Sequence, residues 1–204
     1  MKRIILLSIS CLLLTFCATN AAAFEDKYTL EDGDTLEKDK AALQIYAGYP
    51  KSGFSFIAAP WQYVNIGFRL EMEYHPSLIF GVPFKVQLLE SKGERLNFAL
   101  TFFPGLDFNF KSSNDQVKII STPGFAAGWQ FIRGLSWFLS GEYAMLTQIN
   151  PTTDFIHHPV LSTGLEWQTP TIINVIIKGI VEFKNYNSDD FVYGGLLGLG
   201  FAVW

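Results

Sequence analysis

The sequence predicts an all-β protein, an antiparallel up-and-down transmembrane β-barrel of ten strands. Three observations predict it. The 204 residues are 49% hydrophobic and only 17% charged, against about 25% charge in an average soluble domain. Apolar and polar residues alternate with period two from about residue 42 onward, which is the side-chain period of a strand and of no helix. Beyond residue 20 no stretch long enough to span a bilayer as a helix is free of charged and polar breaks, although mean hydropathy is positive. Besides helices, only closed barrels satisfy every backbone group in lipid. Abundant aromatic and β-branched residues exclude disorder. A net charge of −4, with no basic cluster beyond Lys2-Arg3, excludes a nucleic-acid partner.

Residues 1–23 read as a secretory signal peptide. Lys2 and Arg3 form the positive start, Ile4 to Phe16 the apolar stretch, and Ala21-Ala22-Ala23 the small residues before a cleavage point. Both cysteines, Cys11 and Cys17, lie inside it, so the processed chain has no thiol and no disulfide. Residues 24–40 carry seven acids and three lysines. This composition reads as a solvated acidic leader on the periplasmic side, with Thr35-Leu36-Glu37 as a possible helix start.

The barrel is assigned to residues 41–204. Weak strands at 42–49 and 53–59 precede the clearest one, where Val64, Ile66, Phe68, Leu70, Met72 and Tyr74 share a face and Asn65, Gly67, Arg69, Glu71 and Glu73 share the other. Phe80, Val82, Phe84, Val86 and Leu88 repeat the pattern over Lys85 and Gln87, and Leu96 to Phe110 keeps one apolar parity over Asn97, Thr101, Asp107 and Asn109. Val117 to Phe131, Leu135 to Met145, Leu161 to Trp167, Ile173 to Phe183 and 191–204 complete the set. Pro, Gly, Asn and Ser clusters separate the runs, at 50–53, 75–77, 90–94, 111–116, 133–134, 150–159, 169–171 and 185–190. Ten strands result, or eight if the first hairpin lies outside the ring. Both counts are even, as bacterial barrels require.

The two faces decide between a soluble and a membrane barrel. The apolar face is dense in large aromatics, Leu and Ile on nearly every strand, more than one small core holds. The other face mixes Gly, Ser, Asn and Thr with a few charges of both signs, unlike the Lys/Glu surface of a soluble protein. That places the apolar face in lipid and the polar face in the lumen.

The signal peptide, the thiol-free remainder, the dyad repeat and the aromatic Trp204 resemble the small bacterial outer-membrane β-barrel proteins. The resemblance implies an outer-membrane location, contact with outer-membrane lipids, and handling by the barrel assembly machinery through a last strand ending in Trp204. In the last strand Val203, Phe201, Leu199 and Leu197 form the stronger apolar series, one residue out of step with Trp204.

The candidate functional residues are the charges of inward parity: Arg69, Glu71, Glu73, Lys85, Glu142, Glu166, Lys178, Glu182 and Lys184. Four bases against five acids read as a salt-bridge network filling a narrow interior, with a polar conduit as the other reading. His75-Pro76-Ser77 is similar to the His-x-Ser motif of outer-membrane lipid A deacylase barrels, which implies a glutamate partner about a dozen residues on, at Glu90. Yet the triplet sits on a turn, and at ~3.3 Å per residue Glu90 is about 40 Å away along the next strand. His158, Ser162 and Glu166 recur every four residues, ~13 Å apart on a strand, too far for a triad. His157 and His158 read as solvated loop histidines, with no third metal ligand in register. No phosphate loop, zinc spacing or nucleophile elbow occurs. The reading is therefore a non-enzymatic barrel without catalytic residues, metal or cofactor, in a structural or narrow-passage role. A lipid hydrolase using His75 and Ser77, and a secreted soluble barrel binding an apolar ligand, are the alternatives. A small surface contact is placed at Asp154 to His158.

Overall fold

The computed structural model describes residues 30–74, 77–90, 96–110, 116–132, 134–148, 155–169, 173–183 and 191–203. The expected signal peptide at 1–23, the first six residues of the expected acidic leader, His75, Asp154, Lys184 and Trp204 lie outside them.

Eleven strands are described, β1 (Ala41–Tyr49), β2 (Lys51–Trp61), β3 (Val64–Glu73), β4 (Ser77–Gly81), β5 (Phe84–Glu90), β6 (Leu96–Asn109), β7 (Gln116–Ile132), β8 (Leu135–Gln148), β9 (Phe155–Gln168), β10 (Ile173–Phe183) and β11 (Phe191–Val203). Each pairs antiparallel with its neighbours, and β1 pairs with β11 from Ala41↔Val203 to Tyr49↔Gly195. The sheet is therefore a closed ring, and no strand edge is left for another chain.

The ring has ten staves, because β4 and β5 are two halves of one. β4 pairs with the second half of β3 and the C-terminal end of β6, from Ser77↔Asn109 to Gly81↔Gly105. β5 pairs with Val64–Ile66 of β3 and with Asn97 to Phe102 of β6. Between them Pro83 has no N–H to give the ladder. The break is bridged by Val82 N–H to the Pro104 carbonyl at 2.9 Å and by Gly67 N–H to the Pro83 carbonyl at 3.1 Å. The first hairpin belongs to the ring, which settles the count at ten.

Near mouth here means the end where β1 begins and β11 ends; the opposite end is the far mouth. Gly134, at the near-mouth turn between β7 and β8, has φ +83°, a conformation that a Cβ disfavours.

The two faces are as the alternation predicts. Phe68, Met72, Phe80, Leu100, Ile119, Leu161, Ile177 and Leu197 are exposed on the outside, while Asn65, Glu71, Gln87, Asn97, Ser136, Ser140, Glu166 and Asn174 are buried on the inside. In water such an exterior would be an aggregation surface; in a bilayer it is the solvated one. Trp61, Trp129 and Trp137 stand exposed near one mouth and Tyr49, Tyr74 and Tyr193 near the other. These are the two aromatic girdles of a membrane barrel. On β11 it is the series Leu197, Leu199 and Val203 that faces out, with Ala202 buried.

Candidate functional site

Residues 30–36 do not form a solvated leader. They cross the inside of the barrel at its near mouth, and Leu30, Asp32, Asp34, Thr35 and Leu36 are all buried. The correction has a physical cause. The lumen wall presents buried lysines and amides, and the bent acidic segment supplies carbonyls, N–H groups and a carboxylate to them.

Four wall side chains grip the segment by its backbone. The Lys85 ammonium donates to three alternate carbonyls, those of Leu30 at 3.0 Å, Asp32 at 2.8 Å and Asp34 at 2.9 Å. On the opposite wall the Glu166 carboxylate accepts the Leu30 N–H at 2.6 Å and the Glu31 N–H at 3.0 Å, and also the Asn174 amide. Asn65 accepts the Leu36 N–H at 3.1 Å, and Gln87 takes the Thr35 N–H at 3.2 Å and its hydroxyl at 2.8 Å.

Side chains fix the register. The Glu31 carboxylate accepts from Lys178 at 2.6 Å and from Gln44 at 2.8 Å. Burial pushes the Glu31 carboxyl up, but the Lys178 ammonium and the hydrogen bonds from Lys178 and Gln44 outweigh it and hold the pKa at about 2, against an ordinary 4.5. Leu30 and Leu36 pack with Ala42, Ile57, Ala59, Phe138, Ile176 and Ala202 in a small apolar cluster inside the barrel. Wall glycines make room: a Cβ on Gly128 would lie 2.3 Å from the Asp32 Cβ, and one on Gly200 would lie 2.5 Å from Leu30 Cδ1. Residues 37–39 emerge exposed at the mouth and turn into β1, with Asp39 N–H donating to the Ala59 carbonyl at 2.8 Å.

Above this plug lies a belt of charge. Glu71 accepts from the Tyr46 hydroxyl at 2.5 Å and from Lys51 at 3.2 Å, with Arg69 at 3.8 Å. The Arg69 guanidinium sits 5.0 Å over the Phe103 ring. Beyond the belt, towards the far mouth, is a cavity of about 370 Å³ lined by these groups and by Glu73, Asp107, Lys118, Glu142, His158 and Glu182. Its continuation alongside the plug shrinks to voids of about 60 and 30 Å³.

Eight of the nine predicted lumen charges are described, and all eight line the interior. Their contacts reach partners outside the set. Lys85, Glu166 and Lys178 are taken by the plug, Arg69 and Glu71 pair with each other, and Glu182 pairs with His158 at 2.7 Å. Glu73 accepts the Ser77 hydroxyl at 3.5 Å.

The histidines are a second correction. β9 begins at Phe155, so His157 and His158 are strand residues, not loop residues. His158 faces the lumen, and His157 hydrogen-bonds the Tyr143 hydroxyl at 2.7 Å. Ser162 and Glu166 share the inward face of β9 with His158 without meeting it, as their spacing requires. Ser77 opens β4 at the far mouth, whereas Glu90 closes β5 at the near mouth.

Sequence reasoning missed Glu31, Gln44, Tyr46, Lys51 and His158. Lys51 lay in an expected turn and Tyr46 is an aromatic on a polar parity. The available signal was parity itself: Gln44 and Tyr46 alternate with Leu43 and Ile45, which marks both as inward.

No protein-family model matches the chain, and no curated protein matches its sequence. Among solved structures it is similar to OmpT (in-vitro folded), an outer membrane protein of Vibrio cholerae, at 10% identity and a TM-score of 0.41, over 91% of this chain and 72% of that one. It is also similar to a loop L8 deletion mutant of the same protein, at 11% identity and a TM-score of 0.42 over 82% of this chain. The chain spans about 60% of the length of that mutant. The closed ten-stave ring with its apolar outside is a β-barrel of the outer-membrane type, the general class that the sequence resembles.

Proposed function

We propose that the chain is an integral outer-membrane protein of the Gram-negative envelope, exported by its first 23 residues, non-enzymatic, and a narrow passage held shut by residues 30–36. The observation that carries this reading is the plug itself. A side-chain-filled lumen alone would serve a purely structural barrel. A lumen with a cavity of about 370 Å³ on one side and a separate, removable-looking segment on the other is arranged as a stoppered passage.

The placement of the motif residues supports the non-enzymatic part: Ser77 opens β4 at the far mouth and Glu90 closes β5 at the near mouth, a strand length apart. The apolar exterior takes outer-membrane lipids as its solvent, and the strand that ends in Trp204 is the element offered to the barrel assembly machinery.

Three measurements test the proposal. The protein should partition with outer membranes and show heat-modifiable gel mobility; recovery in a soluble periplasmic extract overturns the location. In planar bilayers the intact protein should be silent, and steady conductance without any perturbation of residues 30–36 overturns the stoppered reading. Envelope lipids from cells carrying Ser77→Ala should match wild type; a lost lipid product would restore the hydrolase alternative.

A further inference from the structure

The plug is held in an unusual way for a segment of its own chain. Most of its polar anchors read main chain: Lys85 takes three carbonyls, Glu166 two N–H groups, and Asn65 and Gln87 one N–H each. Such contacts recognise the shape of a backbone whatever its connection to the barrel: residues 30–33 are bent, and three carbonyls of one short segment converge on the Lys85 ammonium. Four features demand particular side chains, one being the Thr35 hydroxyl at the sixth position, which donates to Gln87 at 2.8 Å. Leucines at the first and seventh positions enter the apolar cluster, and an acid at the second meets Lys178. The fourth position has no room for a side chain, because a Cβ on Gly33 would lie 2.5 Å from the Asn97 carbonyl oxygen and 2.7 Å from the Phe98 nitrogen, both backbone.

We infer that the near-mouth half of the lumen is a peptide-binding site, occupied in cis by residues 30–36 and able to take a curled acidic peptide of the pattern Leu-Glu-x-Gly-x-Thr-Leu supplied in trans. The covalent link contributes nothing to the recognition. The link leaves from Leu36 through exposed residues 37–39. The inference rests on the stoppered reading only for its conductance readout; binding is measured apart from it.

The test uses the full-length chain with its own segment disabled by Gly33→Val and Leu36→Asp, which leaves every wall residue unchanged. Heat-modifiable mobility establishes that the barrel is folded. The probe is a synthetic peptide of residues 30–38 carrying fluorescein at its C-terminus. Fluorescence anisotropy in detergent should show saturable binding to this variant, competed by unlabelled peptide, and at least about tenfold weaker binding to the wild type, whose site is filled. The same peptide with Gly33→Val, or a variant barrel that also carries Lys85→Met, should lose at least about tenfold in affinity. In planar bilayers the disabled variant should conduct, and added peptide should close it.

The outcomes separate. No saturable binding to the folded variant overturns the inference. Equal binding of the wild-type and Gly33→Val peptides overturns it too, since the glycine position defines the site. Binding to a variant that stays silent upholds the inference and overturns the stoppered passage. Conductance that peptide does not block, together with absent binding, upholds the passage and overturns the inference.

Discussion

Glu31 and Lys178 meet at 2.6 Å although 147 positions separate them in the chain. The contact joins the acidic segment before the first strand to the middle of β10, the ninth stave, across the inside of the barrel. It turns an apparently solvated run of acids into a structural part of the lumen, and it makes that part titratable.

The first prediction concerns acid. The Glu31 pKa is lowered from 4.5 to about 2 in the seated segment. A depressed carboxylate contributes stability that is full above its unfolded value and is lost as pH falls through its folded value. The plug should therefore stay seated from pH 7 to about 5 and loosen as pH falls from about 4.5 towards 2. Mobility of a spin label at Glu37→Cys reads this directly. With Lys178→Met the chief opposing charge is gone, burial pushes the carboxyl up, and loosening should move to higher pH. An identical acid profile in both proteins would deny Glu31 its role.

Lys85 supplies the second. Replacing it by Met leaves three carbonyls in the lumen without their donor, at roughly 1–3 kcal/mol for each that water does not reach. Seating should weaken by about 2–4 kcal/mol, read as an increase of roughly two orders of magnitude in amide exchange at Glu31 to Leu36. An increase of less than about threefold would show that the three carbonyl contacts do not anchor the segment.

The third is steric. Gly128→Leu puts atoms where Asp32 lies, since even a Cβ there would come within 2.3 Å of the Asp32 Cβ. The ring should still close, with heat-modifiable mobility kept, while the segment is evicted. A cysteine at Thr35, the only one beyond residue 17, should then react with a maleimide that it excludes in the unsubstituted barrel. Equal protection in both backgrounds would mean that the segment shifts and stays.

The fourth tests the orientation of the wall. Leu161 is 45% exposed on the outside of β9, and Thr122 is 5% exposed on the inside of β7, against the cavity. Leu161→Arg should cost about 2–4 kcal/mol in lipid vesicles, the range for a cation near the bilayer midplane. Thr122→Arg should cost less, because the lumen is polar and Asp107 also lines that cavity. Urea titration in vesicles measures both, and a reversed order would mean a barrel with its apolar face inside.

Strand order, parity and closure were legible because each is written locally. Val64 to Glu73 alternates without a fault, and among the described residues the inward charges there and downstream do face the lumen. What was not legible is non-local. Nothing in residues 30–36 announces that Lys85, Glu166 and Lys178 are waiting for them, since seven acids among seventeen residues read as solvation. His158 was hidden by a neighbouring Pro159, which suggested a loop where β9 in fact continues. The interrupted stave was hidden for the opposite reason: the parity of Phe80, Val82, Phe84 and Val86 runs straight through Pro83, and only the missing N–H divides β4 from β5.

The exposed turn at residues 37–39 sets a consequence for competition. A leash this short holds the segment beside its site at an effective concentration of about millimolar. A free peptide of equal intrinsic affinity must approach that level before it displaces the tethered one. Closure is accordingly a property of each molecule, independent of how many copies the membrane holds, and neighbouring barrels do not trade stoppers. A segment dislodged by chance finds its own lumen again before it finds another's.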